Sequence, residues 1–146
     1  METKYTKNIS KIGDSIKILF VIKSLKNKGG GAEKVLSSIS NNLLKKNHDI
    51  HIITFDKKLG ETFYYFNSKI KVKFLEIGNV EKSTSLLVFL KLIFILRKEI
   101  LSLNPKIVIG FMHSSFIPLG IIKFFTKYNL IASEHASYDF YKNRPI

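Results

Sequence analysis

With 146 residues, 45% of them hydrophobic, the chain is long enough to bury one core and too short to suggest two. It has no cysteine, which excludes a disulfide framework and any thiolate metal site and suits a reducing, cytoplasmic compartment. The formal net charge of +13 points to anionic company, but the cations are scattered and nearly all lysine, with Arg97 and Arg144 the exceptions. Scarce arginine and the lack of any helix-turn-helix, zinc-finger or RNP pattern argue against sequence-specific nucleic-acid binding, and a plain solvated surface explains the lysines equally well.

Residues 1–16, METKYTKNISKIGDSI, contain neither an apolar signal segment nor a cleavage site and are expected to form a disordered lead-in. The domain is expected from Lys17 onward. Ile18 to Ile22 is an apolar, partly β-branched run too short for a helix, which predicts a buried parallel strand. Gly29, Gly30 and Gly31 break it. Ala32, Val35, Leu36, Ile39, Leu43 and Leu44 then recur at helical spacing and predict a helix to about Lys46. At such a junction the first helical N–H groups lack partners, the macrodipole is positive, and missing Cβ atoms let a phosphate approach the backbone. The spacing is neither G-x-G-x-x-G nor G-x-x-x-x-G-K-[ST], so a plain strand-to-helix loop stays as open as a ligand loop.

Ile50, Ile52, Ile53 and Phe55 predict a second strand, and residues 56–60 a polar turn. His48, Asp49 and His51 lack an accompanying ligand set for a metal and are read as a turn. Thr62 to Phe66 is expected to be a short strand or a loop packed over the sheet. Lys71 to Ile77, apolar residues set among lysines, predicts a third strand at a sheet edge. Leu86 to Leu103, LLVFLKLIFILRKEILSL, is the most apolar stretch, yet Lys91 and Arg97-Lys98-Glu99 interrupt it short of the roughly 20 apolar residues of a membrane span. It predicts a helix packed on the sheet; a second reading lays a basic and apolar face on a membrane surface. Asn104-Pro105 ends it. Ile107 to Ile109 predicts a fourth strand, Phe116 to Lys127 a short helix with Pro118 in its first turn, and Leu130 to Ala132 a fifth strand.

This order implies right-handed crossovers and a doubly wound, mainly parallel α/β sheet of strand order 3-2-1-4-5. Its switch point lies between strands one and four, where open α/β sheets bind ligands outside the carboxyl ends of the strands. The glycines, His113 and the Glu134-His135 pair all fall at such ends and could face one crevice. His113 reads first as a partly exposed loop histidine and second as a ligand.

GGGAEKVL behind a first strand, followed by NLLKKNHDIHIITF, resembles the opening of family 4 glycosyltransferases of the GT-B fold. Ser133-Glu134-His135 is similar to the place where these enzymes carry a histidine near the donor sugar and its diphosphate. The resemblance covers about residues 17–145 and implies an N-terminal, acceptor-side Rossmann-like domain. It further implies retaining transfer from a nucleotide sugar to a glycan or lipid-linked acceptor at the cytoplasmic face of a membrane, with no metal and no cofactor beyond the donor itself. By the same resemblance His135 is the catalytic candidate, and Gly30, Gly31, Lys34, His113 and Glu134 are the substrate-binding ones. The family pattern has a second domain that holds the donor nucleotide through an E-x7-E-type motif, and nothing in this sequence matches it. The expectation is therefore a truncated first domain, inactive alone, with a second chain as one source of the missing half. Without G-x-S-x-G, cysteine or paired carboxylates, hydrolase chemistry has little to stand on. Two alternatives remain, a basic α/β module for an anionic partner or membrane surface, and a nicotinamide-dependent oxidoreductase weakened by the missing fingerprint.

Overall fold

The computed structural model describes residues 14–26, 29–57, 62–77 and 85–135. Strand β1 (Lys17–Ile22) leads to helix α1 (Gly31–Lys45) and strand β2 (Asp49–Thr54); β3 (Lys71–Phe74), α2 (Leu86–Leu103), β4 (Ile107–Phe111), α3 (His113–Lys123) and β5 (Asn129–Ser133) follow. The five strands form one sheet in the order β3-β2-β1-β4-β5, every pair parallel, which is the doubly wound α/β arrangement expected.

Alternation along β1 decides how the layers sit. Ile18, Phe20 and Ile22 point to one face and join Leu36 of α1, Ile50, Ile52, Ile70 and Phe111. Leu19 and Val21 point to the other and join Leu92, Leu96 and Ile100 of α2, Val108, and Leu119 and Ile122 of α3. These five of the six β1 side chains are buried, so each contributes on the order of 1.5–3 kcal/mol from lost apolar hydration. Helix α1 thus covers one face, and α2 and α3 pack side by side on the other.

Several elements differ from the sequence reading, each for a local reason. Ser15 and Ile16, placed in the lead-in, are tied to the start of β2 and the turn before it: Ser15 Oγ donates to the Asn47 carbonyl at 2.6 Å and Asp49 N to the Ile16 carbonyl at 3.0 Å. The remaining lead-in residues and the tail after His135 lie outside the described residues. Asp49 and His51 belong to β2, not to a turn. Asp49 takes Lys71 Nζ at 3.0 Å and His51 Nε2 at 3.1 Å, which ties the start of β2 to β3. Ile39 of α1 is 39% exposed, while Ser37 and Ser40 are buried instead. Ser37 Oγ donates to the Tyr65 carbonyl at 2.6 Å and Asn41 Nδ2 to the same oxygen at 2.9 Å, so residues 62–66 are a loop strapped onto α1.

Helix α3 begins at His113, three residues before the expected Phe116, and ends at Lys123. Pro118 consequently lies in its second turn, where the ring removes an internal hydrogen bond. The early start follows from Met112, whose φ of 66° swings the chain out of β4, and from Gly110. A Cβ on Gly110 would stand 2.9 Å from Phe116 Cα, so only glycine lets α3 come this close.

Candidate functional site

Because all strands are parallel, their carboxyl ends share one edge. Between β1 and β4, α1 leaves on one face and α3 on the other, and this switch point is where open α/β sheets form their ligand crevice. Gly30 is the N-cap of α1 in extended backbone, Gly31 its first residue, and no side chain caps the helix. Space beside Gly31 is open: a Cβ there would meet nothing within 4 Å. Gly30 differs, because the Glu33 carboxylate folds back into the position its Cβ would take. That acid in the first turn complements the helix dipole and stands where an incoming anion would arrive. Lys34 is exposed one turn inward, with its N–H bonded to the Gly30 carbonyl at 3.1 Å.

The other wall is built from the ends of β4 and β5. Phe111 closes β4 and packs on Phe20 with centroids 6.1 Å apart. The His135 ring stacks on Phe111 at 5.1 Å and 10°, and its Nε2 lies 2.7 Å from Ser133 Oγ. Phe111 shares its cluster with Leu36 of α1, so His135 and the glycine-capped start of α1 occupy the same face at the same edge. His135 N donates to Glu134 Oε1 at 3.1 Å, and the other Glu134 oxygen lies 3.8 Å from His113 Nδ1, within ion-pair reach when that histidine is protonated. The structure therefore brings together His113, Glu134 and His135, with Gly30 and Gly31 across the switch point. Lys34 points to solvent.

Three parts of the site were not read from the sequence. Met112, between Phe111 and His113, has φ 66° and ψ 155°, a region nearly confined to glycine that costs on the order of 1–3 kcal/mol. Its N–H is held by the Ser133 carbonyl at 2.8 Å, and no residue pattern announces such strain. Ser133 orients His135, and its place at the end of a strand was the available signal. Asp56, assigned by sequence to a polar turn, is 1% exposed. Its Oδ2 accepts from Leu25 N at 2.6 Å and Thr54 Oγ1 at 3.1 Å, which fixes the segment leading from β1 toward the glycines; an acid directly after an apolar strand was the clue.

Chemically, the crevice offers a helix N-terminus, an imidazole held by stacking and a hydroxyl, and an acid–imidazole pair. With Nε2 engaged by Ser133, Nδ1 of His135 is the ring nitrogen available to a ligand. Among the described residues, no three His, Cys, Asp or Glu side chains stand together as metal ligands. A polar hollow of about 700 Å³ lies at the opposite edge, lined in part by Asn41, Asn47, His48 and Asn67. Its Asn41 and Asn67 are spent on fastening the 62–67 loop, since Asn67 N donates to Asn41 Oδ1 at 2.9 Å.

No family model matches the sequence, and no curated protein is significantly similar to it. Solved structures are similar in fold. A sucrose-phosphate synthase from Thermosynechococcus elongatus superposes with a TM-score of 0.66 at 8% identity, over 83% of this chain and 33% of that one. A glycosyltransferase from Rickettsia africae superposes with a TM-score of 0.57 at 15% identity, over 89% of this chain and 33% of that one. The chain therefore spans about a third of the length of either protein. By fold, it is a Rossmann-like α/β unit of the kind that makes up about a third of each of these two proteins.

Proposed function

We propose that the chain is the acceptor-side domain of a retaining glycosyltransferase that moves a sugar from a nucleotide donor to a glycan or lipid-linked hydroxyl. The reading needs no metal ion or cofactor. The observation that carries it is the meeting of His135 and the glycine-capped start of α1 at one edge and on one face, within a fold shared with a glycosyltransferase. In this proposal His135 is the catalytic residue. Phe111 fixes its ring plane and Ser133 its rotation, so Nδ1 can donate a hydrogen bond or charge to the departing phosphate. The start of α1 adds the partial positive charge of its dipole at Gly30 and Gly31, against which the Glu33 carboxylate beside Gly30 must give way, Lys34 adds longer-range attraction, and Glu134 and His113 bind acceptor hydroxyls. Donor nucleotide binding would fall to a second domain, on the same or another polypeptide, and the 146-residue chain alone is expected not to transfer sugar.

Amide NMR titration of the isolated chain tests this reading, with nucleoside diphosphate sugars and polyprenyl phosphate as probes. Shifts confined to Gly30, Gly31, His113 and His135, lost in His135→Ala, are expected. Unaltered spectra with every probe would overturn the site, and sugar transfer by the isolated chain would overturn the need for a second domain.

A further inference from the structure

Helix α2 buries Leu92, Leu96 and Ile100, spaced four apart, and packs Val88, Ile93, Ile95 and Leu103 beside them against the sheet. Its outer half should then be polar. Instead Leu86, Leu87, Leu90, Phe94 and Leu101 are exposed there, Leu87 to 78% and Phe94 to 70%. Beside it α3 exposes Ile117 and Ile121, and the turn that ends α3 exposes Phe124 to 87% and Phe125 to 71%. Both helices run side by side from the carboxyl to the amino edge of the sheet on the same face, so these side chains lie on one outer layer. Monomeric soluble domains seldom leave so many large apolar groups together.

The cations on this surface identify what covers it. Lys91, Arg97 and Lys98 lie on the same exposed half of α2, and Lys123 is exposed on α3. None of them belongs to an ion pair among the described residues. The only acid in either helix, Glu99, is drawn to Lys73 Nζ at 2.7 Å. A protein interface excludes lysine from its apolar centre, and a second copy of this surface would set like charges against one another. A bilayer accepts the same pattern: apolar side chains enter the acyl boundary while lysine and arginine stems reach outward to anionic headgroups. No described helix is long and apolar enough to cross a membrane, so α2 and α3 would lie in the plane of the interface.

We infer that the outer face of α2 and α3 is a docking surface for an anionic lipid bilayer. The inference uses no residue of the crevice and stands apart from the transfer reading. Flotation of the full chain with phosphatidylcholine vesicles, and with vesicles also containing phosphatidylglycerol, tests it. Binding to the anionic vesicles alone, weakening with salt, is expected. Joint replacement Lys91→Gln, Arg97→Gln and Lys98→Gln should weaken binding on the order of a hundredfold, at about fivefold per cation. Phe94→Ser with Phe124→Ser should weaken it at least about tenfold. All five positions are exposed, and unaltered circular dichroism would show the fold intact. Absent binding, equal binding to neutral vesicles, or binding unchanged in both variants would overturn the inference. So would lipid-free self-association abolished by the phenylalanine changes, which would mark a second copy as the occupant.

Discussion

Asp56 shows how a single buried acid can hold a site's frame. Removing its carboxylate strands the Leu25 N–H, donated at 2.6 Å, and the Thr54 hydroxyl inside the protein. Asp56→Ala should lower stability by about 1–3 kcal/mol, read as a drop in the urea midpoint, while Asp56→Asn retains an acceptor and should lose less. Asp49 makes a prediction about pH. Partial burial pushes its pKa up, but Lys71 and His51 outweigh that and hold it below the usual 3.8. A depressed folded-state pKa stabilises the fold above 3.8, and the contribution fades as pH falls through the lower folded value. Native protein should therefore exceed Asp49→Asn in urea midpoint at neutral pH and converge with it in strong acid. The gap should stay under about 1 kcal/mol, because the 38% exposed side chain is screened by water. At this scale the sequence was least informative. Gly30, Gly31, His113, Glu134 and His135 could be placed at strand ends from pattern alone. The burial of Asp56 and the positive φ of Met112 could not be read there, since both arise from contacts between segments far apart in the chain.

Helix α3 makes two close contacts whose loss can be measured, one with Gly110 of β4 and one with Tyr128 just before β5. Gly110→Ala would drive a methyl to 2.9 Å from Phe116 Cα, forcing backbone to move; a loss of about 1–3 kcal/mol in thermal or urea unfolding is expected. At the other end, the Tyr128 hydroxyl donates to the Leu119 carbonyl at 2.6 Å, and Tyr128→Phe should lose about 1 kcal/mol near neutral pH. Burial pushes that phenol from 10.0 to about 12. A raised folded-state pKa means the advantage over phenylalanine is whole below pH 10 and declines as pH climbs toward 12, which urea titrations across that range would detect. Helix α2 was legible to the residue because local signals bound it. Ser85 Oγ accepts from Val88 N at the start, and Asn104 takes the left-handed conformation with φ 48° before Pro105 at the end. Helix α3 lacked such signals: no side chain caps it, and its start depends on the turn at Met112.

For the molecule as a whole, strand order was legible because apolar runs alternating with helical patterns leave few parallel arrangements. What covers the outer face of α2 and α3 was only half legible, since their periodicity does not say which apolar residues the sheet leaves over. The position of β1 in the middle of the sheet also shapes how the native state is reached. Its one flank meets β2 soon after synthesis, but its other neighbour, with Ile22 opposite Phe111, comes from near the end of the described chain. During translation that flank stays bare until residues 107–111 have emerged, so the nascent chain needs α1 and the first two strands to survive half-assembled. Such distant pairing predicts refolding in milliseconds to seconds in stopped-flow fluorescence or circular dichroism, with helical signal gained before strands close; completion within microseconds would contradict it.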